Sequence, residues 1–124
     1  MNDTTKSTLD LLREGRDLLA KGWTQEVFFT FHKDGERQDC FCMMGCILEA
    51  HTPGCSATLL AKPTVIAAVH AVEAAVCGSS KPIKERGENG YSGIVADWND
   101  DPYRTQAEAV AKMDEAIAAL EAQA

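Results

Sequence analysis

Between Asp39 and Cys55 the chain reads DCFCMMGCILEAHTPGC, which gathers four of its five cysteines and one of its three histidines into seventeen positions. Thiolates and imidazoles are ligands for zinc, and a thiolate beside an imidazole is also a nucleophile with its base. Both chemistries are open in principle to Cys40, Cys42, Cys46, His51 and Cys55. Structural zinc sites bring their thiolates in close pairs, most often two residues apart within one tight turn, and that spacing is absent here. A helix from about Cys42 to His51 places Cys42 and Cys46 on one face, yet leaves His51 about 140° round from Cys46 at ~100° per residue. One metal cannot easily use all five groups. A thiol enzyme would use Cys42, at the helix start, with His51 or His70 as base. His51 falls at the far end of the same helix, and His70 within an alanine-rich one, so neither placement is compelling. The expected role of Cys40, Cys42 and Cys46 is packing, because free cysteine is among the most buried residue types. Cys55, next to Gly54, is the thiol expected at the surface.

A second constellation is DWNDDP, Asp97 to Pro102, with three carboxylates and an amide around Trp98. Such oxygens could hold a hard cation, but the alternating carboxylates and glycine of a calcium loop are missing. A packed tryptophan followed by an Asn/Asp turn is the simpler reading. No metal and no cofactor are expected. The alternative is a metal-binding or thiol-dependent module that uses the Cys40 to Cys55 cluster.

The elements that must position these residues follow from periodicity and punctuation. Ser7 and Asp10 resemble a capping box, and Leu11, Leu12, Leu18 and Leu19 recur at helical spacing with Gly15 on the same stripe, up to Gly22. EVFFTFHKDGERQDCFC then predicts a two-stranded hairpin turning at Asp34-Gly35. With those two residues as the loop, Phe31 pairs with Gln38, Phe29 with Cys40 and Val27 with Cys42. A short helix to about His51 follows, and Thr52-Pro53-Gly54 ends it. The next helix runs from about Thr64 to Cys77 with Val65, Val69, Val72 and Val76 on its buried stripe. Ser79 to Ser92 is polar and glycine-containing, and reads as a surface loop. A helical turn around Ile94, Val95 and Trp98 breaks at Asp101-Pro102. Thr105 and Glu108 cap a last helix with Val110, Met113, Ile117 and Leu120 facing inward. These elements predict an α+β fold: one mostly helical domain over residues 1–124, with a two-stranded antiparallel hairpin.

The chain has 124 residues, 45% hydrophobic and 25% charged, which suffices for one core without a metal or disulfide to hold it. Its net charge of −7 argues against a phosphate backbone as direct partner and favours a basic protein surface. The acid is uneven. From Asp97 onward seven carboxylates face two cationic side chains, leaving −5 there and −2 over the first 96 residues. Asp97, Asp100, Asp101, Asp114 and Glu115 are therefore candidate partner-binding residues, with Trp23 as a candidate aromatic anchor. The bland reading of the same charge is a solvated helix face. The N-terminus lacks an apolar run behind a basic start, and Lys62, Pro63, His70 and Glu73 interrupt the longest apolar region, so a cytoplasmic protein without membrane contact is expected. The odd number of cysteines points to reduced thiols. A homo-oligomer is left open.

Three stretches carry a resemblance: Gly22-Trp23-Thr24-Gln25; Phe41 to Ile47, with Cys42, Gly45 and Cys46; and Ile94 to Asn99 continued by Asp100, Pro102, Arg104 and Thr105. In that order they resemble a family of small bacterial and bacteriophage proteins of unknown function. The resemblance implies a mostly helical cytoplasmic protein in a mobile-element setting, and it transfers no catalytic residue. Cys40 and Cys55, which flank the family-like Cys42, depart from that pattern. The expected function is a small acidic, non-enzymatic protein-binding module. By analogy with contact inhibitors of mobile elements, it would block a basic surface of a host defence protein.

Overall fold

The computed structural model describes residues 6–31, 38–54, 57–78 and 91–123. Ser7 opens the first helix as its spacing predicts: its hydroxyl accepts the Asp10 amide at 3.0 Å, and the Asp10 carboxylate accepts the Ser7 amide at 3.2 Å. Two amides that a helix start leaves without partners are satisfied in this way. Helix α1 (Thr8–Lys21) ends where the Gly22 amide donates to the Leu18 carbonyl, and it buries Leu11, Leu12, Gly15 and Leu19. Gly15 is needed for a close approach, since a Cβ there would meet the Cys46 carbonyl oxygen at 3.3 Å.

Strands β1 (Phe29–Phe31) and β2 (Gln38–Phe41) form the predicted antiparallel pair. The turn at Asp34-Gly35 lies outside the described residues. Phe31 pairs with Gln38 as expected, but the register then slips by one, so that Thr30 opposes Cys40 and Phe29 opposes Phe41. The expected pairs of Phe29 with Cys40 and Val27 with Cys42 are not formed. A second partner of β2 explains the slip: Phe41 donates its amide to Gly22 O at 2.9 Å and accepts the Thr24 amide at 3.0 Å. These bonds fix Phe41 against residues 22–24, and the extra residue, Asp39, absorbs the mismatch as a bulge. Cys42 lies just past the strand and donates its amide to Phe28 O at 2.9 Å.

Helix α2 (Gly45–His51) starts three residues later than expected, after a turn at Met43 and Met44. A 3₁₀ turn at Ala57–Ala61 precedes helix α3 (Pro63–Cys77). Pro63 occupies the first turn of α3, where its missing amide proton is not needed, and Gly78 closes it at φ 77°. Val65, Val69 and Val72 are buried as predicted, while Val76 is only half-buried. Glu73 also lies inward, where its carboxylate accepts the Ser92 hydroxyl proton at 2.7 Å. Ser92 in turn caps helix α4 (Gly93–Asn99) by accepting the Val95 amide. The expected surface loop falls largely outside the described residues. Helix α5 (Gln106–Ala122) carries the predicted Thr105–Glu108 capping box. Met113 is fully buried between Ala109 and Ala116, with Val110, Ile117 and Leu120 packed partly buried against the same core.

The chain is thus an α+β single domain. Helix α1 packs against α2, α3 and α5, α3 against α5 and α4, and β2 against α1. Leu11, Leu12, Leu19, Met43, Ile47, Leu48, Val65 and Val69 fill the space between them. Among the described residues no helix is long and apolar enough to cross a membrane.

Two glycines separate space from conformation. A Cβ at Gly45 would collide with the backbone carbonyl of Phe28, whereas one at Gly93 would meet nothing within 4 Å among the described residues. Gly45→Ala is expected to destabilise the protein by about 3 kcal/mol or more, because backbone has to shift. Gly93→Ala should be neutral or stabilise by about 0.5 kcal/mol through the unfolded chain. Urea denaturation of both variants checks the contrast.

Candidate functional site

The three stretches that carry the family resemblance converge on Asn99, which is 1% exposed. Its Oδ1 accepts the Trp23 indole N–H at 2.9 Å and the Met43 amide at 3.2 Å. Its Nδ2 donates to Thr24 O and to Asp100 Oδ1, each at 3.1 Å. Both lone pairs and both protons of the amide are used. Gln25 adds a second clamp, with Nε2 donating to Asn99 O at 3.0 Å and to Asp101 O at 2.8 Å. Asp100 Oδ1 also accepts the Glu26 amide at 2.7 Å. Glu26 has φ 72°, the one non-glycine with positive φ among the described residues, and its neighbours hold it there. Trp98 stacks under Arg104, whose guanidinium carbon lies 3.6 Å from the ring centroid and whose Nε donates to Trp98 O at 2.9 Å.

Trp23, expected as an aromatic anchor for a partner, is half-buried against the core with its N–H committed to Asn99. Asp100, expected as a partner-binding residue, is likewise half-buried and holds the Glu26 turn. Asp101 accepts the Tyr103 amide and sits 3.9 Å from Arg104. Asp114 and Glu115 belong to a separate group on α5. Asp114 pairs with Arg16 of α1 at 2.9 Å and Glu115 with Lys112 at 3.2 Å, while Glu121 pairs with Arg13. Asp97 is exposed on α4 and makes no hydrogen bond or ion pair among the described residues.

The cysteines separate as well. Cys42 and Cys46 are buried, Cys40 is half-buried, and Cys77 is exposed. Cys55 lies outside the described residues. Cys42 Sγ accepts the Gly45 amide at 3.2 Å and Cys46 Sγ donates to Met43 O at 3.3 Å. Burial pushes the Cys42 thiol up to about 11, the opposite of what a nucleophile requires. His51 places Nδ1 2.8 Å from the Thr52 hydroxyl, not beside Cys42, and His70 is half-buried on α3. Among the described residues no three His, Cys, Asp or Glu side chains stand together as a metal site.

What the Asn99 clamp does shape is a cavity of about 390 Å³ between the segment after Trp23 and α4. Its walls include Phe28, Met44, Tyr91 and Val95, and Phe28 meets Tyr91 edge to face with ring centroids 6.4 Å apart. Cys42 and Asn99 form part of its wall, and Glu26 and Asp100 are the charged residues that line it among the described residues. The sequence signal missed here is the pair Glu26-Val27 beside DWND, which only the fold makes neighbours.

Two outcomes test this geometry. Asn99→Ala strands the Trp23 indole, the Met43 amide and the Thr24 carbonyl, and should cost roughly 3 kcal/mol in denaturant unfolding. For Cys42, the unfolded thiol releases its proton near pH 9 while the folded one holds it to about pH 11. The unfolded state is therefore favoured across that window, and stability falls as pH rises through it, by roughly 2–3 kcal/mol in all. Cys42→Ala should be less stable at neutral pH and show a shallower alkaline decline than wild type in parallel denaturation series.

Neither the curated proteins nor the solved structures contain a match to the chain. A family model does match, over residues 3–119, and so takes in the Asn99 clamp, the cavity, helices α1 to α4 and most of α5: the chain belongs to the family of unknown function DUF6197.

Proposed function

We propose that the protein is a non-enzymatic binding module that engages a basic surface of a protein partner, and that Asp97 and the Glu26 edge of the cleft lead the encounter. The observation that carries this reading is which carboxylates remain uncommitted. Asp114, Glu115 and Glu121 are neutralised by neighbours on α1 and α5, whereas Asp97 and the Glu26 carboxylate are exposed without a cationic partner among the described residues. Exposed Val27, Tyr91 and Ile94 lie in the same two stretches and supply apolar contact area. The raised Cys42 thiol supports a role without nucleophilic catalysis. In the bacterial or bacteriophage setting that the sequence resemblance implies, the module would work in the cytoplasm and inhibit a host defence protein by occupying its basic surface. That last step is an analogy with other contact inhibitors.

Complementary charge acts mainly on association rate and is screened by salt. A partner captured from the native host should associate with Glu26→Lys/Asp97→Lys about tenfold more slowly than with wild type at low ionic strength, and the gap should close as salt is added. Asp114→Lys/Glu115→Lys should change the rate far less, since those charges are already paired. Equal rates for wild type and the Glu26/Asp97 variant at low salt would remove the acid from the interface.

A further inference from the structure

The cavity beside Glu26 has a composition that selects more than an apolar side chain. We infer that it is a cation pocket, which receives the side chain of a lysine or arginine of the partner, with its alkyl stem along Phe28, Met44 and Val95 and its charged end between Glu26 and Asp100. This deepens the reading above and rests on it. Among the described residues no lysine, arginine or histidine lines the cavity, so its two carboxylates have no counter-charge from them there. Asp100 Oδ1 is occupied by the Glu26 and Asn99 protons, but no hydrogen bond uses Asp100 Oδ2 or either Glu26 side-chain oxygen among the described residues. Tyr91 and Phe28 also line the cavity, and aromatic rings attract a cation through their quadrupole. A volume of about 390 Å³ is within the range of small-ligand sites and admits a long side chain whole. The left-handed backbone at Glu26 has a consequence in this context. The Asp100 bond turns the chain so that Glu26 joins the wall of the cavity.

The test uses isolated probes and amide NMR of the full chain. N-acetyl-arginine and N-acetyl-lysine methylamides should shift the amides of Glu26, Val27, Phe28 and Ala96 in a saturable way, with dissociation constants in the millimolar range expected of single side chains. N-acetyl-norleucine methylamide, which has the stem without the charge, should bind at least fivefold more weakly. Guanidinium chloride, which has the charge without the stem, should give no saturable shift. Glu26→Gln should reduce the affinity of the cationic probes at least fivefold. Glu26→Gly, which also relieves the left-handed backbone, should do the same while retaining the wild-type spectrum elsewhere. Equal binding of the norleucine and lysine probes would show an apolar cleft with no cation preference. Absence of saturable shifts from any probe, or shifts centred on α5, would refute the pocket. If the probes fail while partner association keeps its salt dependence through Asp97 and Glu26, the pocket falls alone and the acidic interface stands. If the probes bind but partner association ignores those charges, the pocket stands and the proposed interface falls.

Discussion

The side-chain amide of Asn99 makes four hydrogen bonds inside the protein, which tie the end of α4 to two distant segments: to the Trp23 ring and Thr24 backbone, to the Met43 backbone, and to the neighbouring Asp100 side chain. A buried amide that is fully paired fixes geometry strongly, because any displacement leaves a desolvated donor or acceptor with nothing in exchange. The segment after α1, the turn into α2 and the end of α4 are therefore held as one unit. Gln25 repeats the device on the backbone of Asn99 and Asp101, and Gln106 extends it to α1 by donating to the carbonyls of Leu19 and Ala20. The GWTQ and DWND stretches are in this sense two halves of one joint.

The fold gives the acidic groups of the last quarter different surroundings. A carboxylate that looks free in the sequence has three fates in the fold. Asp100 becomes a structural acceptor, Asp114 and Glu121 become counter-ions for α1, and Asp97 stays in water. Exposed ion pairs such as Arg16–Asp114 contribute little to stability. On α5 they pair Asp114 and Glu121 with cations of α1, whereas Asp97 on α4 has no such partner among the described residues.

The cysteines follow the same logic of place over type. Cys42 and Cys46 stand in the turn and first residues of a helix that is buried almost on all sides, and the sulfur of each bonds to backbone there. At Cys42 desolvation then favours the neutral thiol. A helix start can lower a thiol's pKa, but only where the thiolate can keep some solvation. At Cys42 burial is the larger effect and sets the direction of the shift.

Local chemistry in the sequence was sufficient for the helix ends. Both capping boxes, the stop at Gly22, the close of α3 at Gly78 and the α+β class follow from side chains that bond within a few residues of their own position. The face of each helix was nearly as legible, since a period of 3.6 residues reports burial directly. The hairpin register was not, because it depends on a second strand-like neighbour at residues 22–24 that no local pattern announces. Nor could the sequence assign the carboxylates. Whether Asp100 or Asp114 meets water, a backbone amide or a guanidinium depends on contacts between residues 74 and 98 positions apart. Residue type and spacing determined which groups could bond. Only the packing of α1, α4 and α5 decided which of them did, because desolvation and pairing are properties of neighbours in space.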